Sequence, residues 1–326
     1  MIKRLKVIIL AVCLAVTSAC GFSACSFTGN SDKITVVTTA FPLFDWTSEL
    51  LSGVENAEVE WLLDSGVDVH SYQPTVDDMV KIKNADLFVF VGGESESWVD
   101  DVLGEDASIR KTGMLDVLGD FTIEEGEPGD NHEQGGHDHE HGDHDHEVDE
   151  HAWLSVIRAK ITCEAIADEL SLLFPEQSDV IEANLTAYLG KLDALDQKYG
   201  SELGKIENKF AVFGDRFPFA YLFDDYGIEW DAAFSGCSAE SEASFETIAR
   251  LASRVDERGL AYVLKIEGST HKIAESVIAA SSNKNAQTLT LNSLQSVKRS
   301  DLGKTTYLSV MESNLTVLLT ALGARG

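Results

Sequence analysis

The sequence predicts an α/β fold in which two lobes, each built on a parallel sheet, are joined by one long helix. Three observations lead there. Runs of β-branched and aromatic residues alternate with helical apolar patterns from Ile34 to about Leu118. That alternation implies βαβ units and a parallel sheet. The same alternation starts again at Phe210 and continues to Leu322. Between the two, a helical pattern runs from Pro175 to about Glu202. The chain has 326 residues, 44% of them hydrophobic, enough for one large or two medium domains. The expected division is a signal segment at 1–19, a tether at 20–32, a first lobe at 33–174, the joining helix at 175–205 and a second lobe at 206–326.

In the first lobe, ITVVT at 34–38 reads as a buried strand. Pro42 suits the first turn of a helix that runs to about Leu51 and is stopped by Gly53. A second strand is expected at 59–63, followed by the Gly- and Pro-containing loop 64–74. Thr75 and Asp78 have capping-box spacing and open a short helix with Val76, Met79, Val80 and Ile82 as its apolar face. LFVFV at 87–91 is the third strand, 99–103 is helical, and 114–118 enters a strand or turn. An acidic, His-rich loop fills 124–150. The helix expected at 156–174 carries Ile157, Ile161, Ile166, Leu170 and Leu173 near helical spacing. Along the joining helix, Val180, Ile181, Leu185, Tyr188, Leu189, Leu192, Leu195 and Tyr199 mark the apolar side. In the second lobe, strands are expected at 210–213, 228–232, 260–266 and 287–291. Its helices are expected at 219–226, from a Ser244 cap to Gly259, from Ser269 or Thr270 to about Ala280, and at 307–322.

The N-terminus reads as a secretion signal. Lys3, Arg4 and Lys6 precede the apolar run 7–16, which is too short to span a bilayer as a stable helix. Thr17-Ser18-Ala19-Cys20 resembles a bacterial lipoprotein cleavage box with Cys20 as the lipidated residue. Cys25 follows a poorer match, and a plain secreted protein is the alternative. With 25 basic and 55 acidic residues, the net charge is −30. Such a surface repels nucleic acid and anionic lipid and raises the local cation concentration, although solubility alone explains it equally well. No CxxC or CxxH pair occurs among the five cysteines, which argues against cysteine-based zinc sites. Cys163 reads as core, and a Cys163–Cys237 disulfide is left open.

The stretch 131–151 holds seven of the nine histidines, interleaved with eight carboxylates. It has almost no apolar residue and reads as a solvated loop. Imidazoles and carboxylates are donors that zinc accepts. A flexible run fixes no single geometry, so His132, His137, His139, His141, His144 and His146 read as accessory, exchangeable metal binders. An acidic linker with incidental histidines is the plainer alternative. Parallel sheets bind ligands at loops after the carboxyl ends of strands. His70, His151, Asp215 and Glu267 occupy such loops, two from each lobe. The cleft between the lobes would then offer two imidazoles and two carboxylates, a set that suits zinc or manganese. Plain readings stand beside these: a loop histidine at His70, the end of the solvated run at His151, a helix cap at Asp215, and a hydrogen bond to the helix start near Ser269 at Glu267. His271 reads as surface. No HExxH helix or GxSxG turn is present, which argues against a metal hydrolase.

Asp68-Val69-His70-Ser71-Tyr72-Gln73-Pro74, with Ala85-Asp86-Leu87 and Val91-Gly92-Gly93-Glu94, resembles the first metal-ligand motif of the TroA-like solute-binding proteins of zinc and manganese ABC transporters. Glu150-His151-Ala152-Trp153-Leu154 resembles the second, and the acidic His-rich loop before it resembles the zinc members. Tyr226-Gly227-Ile228 and Thr306-Tyr307-Leu308 with Asn314 extend the likeness over about 33–323. The resemblance implies two Rossmann-like α/β lobes, a rigid joining helix and a metal site in the cleft. It implies a monomeric, lipid-anchored, extracytoplasmic protein that delivers zinc, or manganese, to an ABC permease without chemical turnover. A surface adhesin or metal buffer of the same fold is the alternative. Two departures matter. The family usually has His or Glu as third ligand, and counting back from Tyr226 puts Arg216 there. A guanidinium has no lone pair to give, so Asp215 beside it is the substitute. The family's fourth ligand is often an Asp near the last strand, where this chain reads Leu291-Asn292-Ser293-Leu294. Glu267 is the replacement, with Asn292 as a weak carbonyl donor.

Overall fold

Two four-stranded sheets carry the structure. The first contains β1 (Ile34–Thr38), β2 (Ala57–Trp61), β3 (Leu87–Phe90) and β4 (Arg110–Gly113) in the order β2-β1-β3-β4. The second contains β5 (Phe210–Phe217), β6 (Glu229–Ser235), β7 (Tyr262–Ile266) and β8 (Gln287–Leu291) in the order β6-β5-β7-β8. Every strand pairing is parallel. In both sheets the winding reverses between the first and third strands, which leaves a crevice at their carboxyl ends. The computed structural model describes residues 33–104, 109–125, 148–236, 238, 242–270 and 272–323. The signal segment, Cys20, Cys25, the histidines from His132 to His146, His271, and Cys237 with its proposed pairing lie outside the described residues. From Ile34 the chain forms one compact unit.

β3 is buried along its whole length, as a parallel strand covered on both faces must be. β4 reads RKTG and went unrecognised in the sequence because it is an edge strand, with Arg110 and Lys111 open to water. The strand or turn expected at 114–118 is a short helix that buries Met114, Leu115 and Leu118. The Thr75–Asp78 capping box forms in both directions, but Val76 and Val80 are 74% and 53% exposed. They lie about 120° and 160° around the helix from buried Ile82, so the inward face is narrower than its apolar content suggests. Ile157 and Val180 also point to water, while Ala159, Cys163 and Ala167 pack inward. Burial pushes the Cys163 thiol well above its ordinary pKa, which suits inert packing.

A turn at Pro175–Gln177 precedes the long helix Ser178–Leu203. This helix packs against helices Phe41–Leu50, Val156–Leu173 and Tyr307–Gly323. Tyr199 on it donates to the Met311 carbonyl at 2.6 Å. One apolar core runs through residues of both sheets, from Val36 and Phe88 to Phe213 and Leu291. A core continuous between lobes resists large relative movement. A smaller cluster, including Val212, Leu251 and Val277, lies under helices Phe245–Arg258 and Lys272–Ala280. Among the described residues, no helix is long and apolar enough to cross a membrane.

Asp45 ties the first helix to the last, because its Oδ2 accepts from Tyr307 N at 2.9 Å. Burial, aided by Glu49, raises the Asp45 pKa from 3.8 to about 6 against the opposing Tyr307 N–H and Lys191. The native state therefore holds this proton more tightly than the unfolded chain. The carboxylate costs stability above that raised value, and the cost fades as pH falls toward 3.8. Asp45→Asn, whose amide oxygen still accepts from Tyr307 N, is expected to stabilise the fold by about 2 kcal/mol near pH 7.5. Denaturant melts at pH 7.5 and 4 check this, since the gain should be absent at the lower pH.

Candidate metal centre

His70 and His151 meet at the carboxyl end of the first sheet. His70 lies on the turn Val69–Ser71, which follows β2 and is pinned by buried Val69. His151 precedes the turn Ala152–Leu154 and is fully buried. Their Nε2 atoms are 2.9 Å apart, with ring centroids at 4.9 Å.

The other ring nitrogens are committed. His70 Nδ1 faces Ser95 Oγ at 2.7 Å and Glu150 Oε2 at 3.3 Å. Glu150 Oε1 in turn accepts from Ser95 N at 2.8 Å. Although burial alone would raise the Glu150 pKa, the His70 and Ser95 hydrogen bonds hold it below the ordinary carboxylate value. His151 Nδ1 faces Asp149 Oδ1 at 2.9 Å, and the same oxygen accepts from His151 N at 2.8 Å. An ionised carboxylate only accepts, which assigns the proton to Nδ1 in each ring and leaves each Nε2 with a bare lone pair. Two lone pairs at this distance repel unless a proton or a metal cation lies between them. Carboxylate-oriented imidazoles of this kind are suited to zinc.

The supporting residues fit closely. Gly93 has φ +83°, and a Cβ there would approach Glu150 Oε1 to 2.4 Å. At Gly236 a Cβ would press on His151 Cε1 at 3.1 Å, so glycine lets the second lobe reach the imidazole. Glu96 Oε2 accepts from Gly92 N at 2.9 Å and steadies the turn that presents Ser95. Burial pushes the Glu96 carboxyl up to about 7. Tyr221 from the second lobe donates to the Asp149 carbonyl at 2.6 Å.

Asp215 and Glu267 are placed differently. β5 continues past Phe213 through a register shift, so Asp215 lies inside the strand, not after it. Its Oδ1 accepts from Arg216 N at 2.9 Å and its Oδ2 from Ile266 N at 3.3 Å. Glu267 follows β7 and holds Ser293 through N at 2.7 Å and Oγ at 2.8 Å. The Ser293 carbonyl accepts from Trp153 Nε1 at 2.9 Å, so Glu267 is linked to the His151 segment across the cleft. Leu294, next in the chain, has φ +65°, a strained value for a branched residue. Asn292 turns its Oδ1 to Leu294 N at 2.8 Å. Arg216 donates to Asp68 Oδ2 at 2.8 Å, and Asp68 Oδ1 accepts from His70 N at 3.1 Å. Among the described residues, no three His, Cys, Asp or Glu side chains are already gathered closely enough to hold a metal ion.

The sequence reading missed Ser95, Asp149, Glu150 and Asp68. Asp149 and Glu150 are 1% and 3% exposed, although the sequence placed them in the solvated loop. A signal existed: both histidines end an Asp-x-His motif, Asp68-Val69-His70 and Asp149-Glu150-His151. Asp149→Asn is expected to lower zinc affinity about 10- to 100-fold, because the amide lets the imidazole take the other tautomer. A zinc titration against a chromophoric chelator reads this directly, and unchanged affinity contradicts the assigned tautomer.

Several characterised proteins are similar to this chain. The zinc-binding lipoprotein AdcA of Streptococcus pneumoniae is 33% identical over 318 residues, which cover 97% of this chain and 60% of that relative. The chain thus spans about 60% of that relative's length. The high-affinity zinc uptake system protein ZnuA of Bacillus subtilis is 28% identical over 318 residues, 95% of each chain. The crystal structure of the Zn(II)-bound ZnuA-like domain of the S. pneumoniae AdcA superposes with a TM-score of 0.69 at 28% identity, covering 90% of this chain and 100% of that one. Residues 36–321 match the family described as ZnuA, zinc-uptake complex component A periplasmic, and the chain belongs to that family.

Proposed function

We propose that this chain is an extracytoplasmic zinc-binding protein, anchored by a lipid on Cys20, that captures the ion and passes it to an ABC permease as a monomer and without chemical turnover. The observation that carries this reading is the opposed Nε2 pair of His70 and His151 at 2.9 Å, each ring oriented by its own carboxylate. The family membership and the zinc-binding relatives support it. His70 and His151 are the first two ligands. Glu267 and Asp215 are the carboxylates the second lobe supplies. Glu267 is the better placed, because both its oxygens are held by the single residue Ser293, whereas Asp215 serves the main chain inside β5. Two imidazoles favour zinc over manganese. The core shared by both sheets and the long helix imply limited lobe motion on binding. His132, His137, His139, His141, His144 and His146 act as accessory collectors that raise local zinc.

The test pairs binding with transport. The purified chain is titrated with zinc and manganese in competition, and a strain lacking the chain is grown under zinc limitation. Zinc-selective binding, with growth restored by the wild type but not by a His70→Ala/His151→Ala variant, is expected. Zinc binding without any growth defect in the deletion strain contradicts the transport role. Deleting 131–147 should reduce uptake at low zinc, and unchanged uptake removes the collector role. Esterase or peptidase turnover by the zinc-loaded chain would contradict the assignment as a non-enzyme.

A further inference from the structure

The two Asp-x-His motifs share one local design. In each, the Asp Oδ1 accepts from the backbone N–H of the histidine two residues on, at 3.1 Å for Asp68 and 2.8 Å for Asp149. They then diverge. Asp149 also binds the Nδ1 of its histidine and so sets the tautomer. Asp68 leaves that task to Ser95 and Glu150. Its Oδ1 lies instead 4.0 Å from His70 Nε2, on the metal-facing side of the ring. Its second oxygen is taken by Arg216 from the second lobe, at 2.8 Å.

We propose that Asp68 is a metal-facing carboxylate whose access to the ion is governed by Arg216, acting as an internal counter-cation. The proposal rests on the two-histidine centre argued above. The guanidinium of Arg216 is a cation that offers no lone pair, so it competes with a metal ion for Asp68 and cannot join it as a ligand. The competition is reversible because the ion pair is not sealed from water. Arg216 and Asp68 keep 24% and 19% of their side chains exposed, against 11% and 4% for the Arg158–Asp225 pair. Water thus reaches the pair, so the guanidinium has solvent to turn to when the carboxylate leaves it. When zinc arrives between the imidazoles, the Asp68 carboxylate transfers from the guanidinium to the ion, and Arg216 turns to water. Because Arg216 belongs to the second lobe and Asp68 to the first, the exchange also links metal occupancy to the contact between lobes.

The sign of one substitution separates this from a purely structural latch. Arg216→Gln removes the competing charge and is expected to raise zinc affinity about tenfold. Asp68→Asn keeps an acceptor for His70 N but loses the anionic donor, and is expected to lower affinity about tenfold or more. The double variant should behave like Asp68→Asn. Each is titrated with zinc against a chelator, with a melting curve to confirm folding. Cobalt(II) loading gives a second readout, because the visible ligand-field bands should change for Asp68→Asn and keep their wild-type shape for Arg216→Gln. Unchanged or lowered affinity in Arg216→Gln overturns the proposal, as does wild-type affinity in Asp68→Asn. If Asp68→Asn fails to fold, the Arg216→Gln sign alone decides. Loss of the underlying reading looks different: the wild type itself, or the His70→Ala and His151→Ala variants, would then bind zinc no differently from one another.

Discussion

His151→Ala is expected to lower zinc affinity by about two to three orders of magnitude. The figure follows from sharing a structural-zinc binding free energy of about 10–16 kcal/mol among the four proposed ligands, which gives about 2.5–4 kcal/mol each. His151 should lie at the upper end. It is fully buried and its ring is fixed by Asp149, so its lone pair is held ready for the ion. The substitution also leaves the Asp149 carboxylate facing a hole, so some loss of stability accompanies the loss of affinity. His70→Ala should cost a similar factor in affinity but less in stability, because its side chain is 11% exposed and water can fill the space. Chelator competition gives the affinities, and melting curves without metal separate the two effects.

Trp153→Ala carries the largest expected stability effect, about 4 kcal/mol. The indole is 1% exposed, lies 5.2 Å from the His151 ring, and donates from Nε1 to the Ser293 carbonyl at 2.9 Å. Removing it leaves a large cavity and severs a bond between the lobes. Trp153→Phe keeps most of the apolar volume and loses only the donor, so about 1–2 kcal/mol is expected. The pair of variants thus divides packing from hydrogen bonding. For a chain of this size, each kcal/mol lowers the melting temperature by about 2–4 °C, and calorimetry resolves the difference. Since Ser293 also holds Glu267, Trp153→Phe should weaken zinc binding if Glu267 is a ligand.

The sequence carried much of this fold because the buried parallel strands wear their burial openly. ITVVT and LFVF permit little but a covered strand. RKTG gave no such signal, since an edge strand on the rim of the sheet needs no apolar run. Asp215 read as part of a loop after the strand 210–213 because the strand continues past Phe213 through a bulge, which interrupts its apolar run as a loop would. At the site, His70 was legible as a candidate from its loop after β2, and His151 from the ordered Trp153-Leu154 segment that closes the acidic run. Their partners were not. Ser95 is 25 residues from His70, and Glu150 looks like one more acid in the acidic run. The ion pair between Asp68 and Arg216 spans 148 residues, and only the folded chain brings it together.

The most direct test of the central claim is a crystal structure of the zinc-loaded chain with anomalous data at the zinc edge. The account predicts one strong peak between the two imidazoles, about 2.0–2.1 Å from Nε2 of His70 and of His151. A fully occupied zinc bound elsewhere, with these two nitrogens still facing each other uncoordinated, would contradict it.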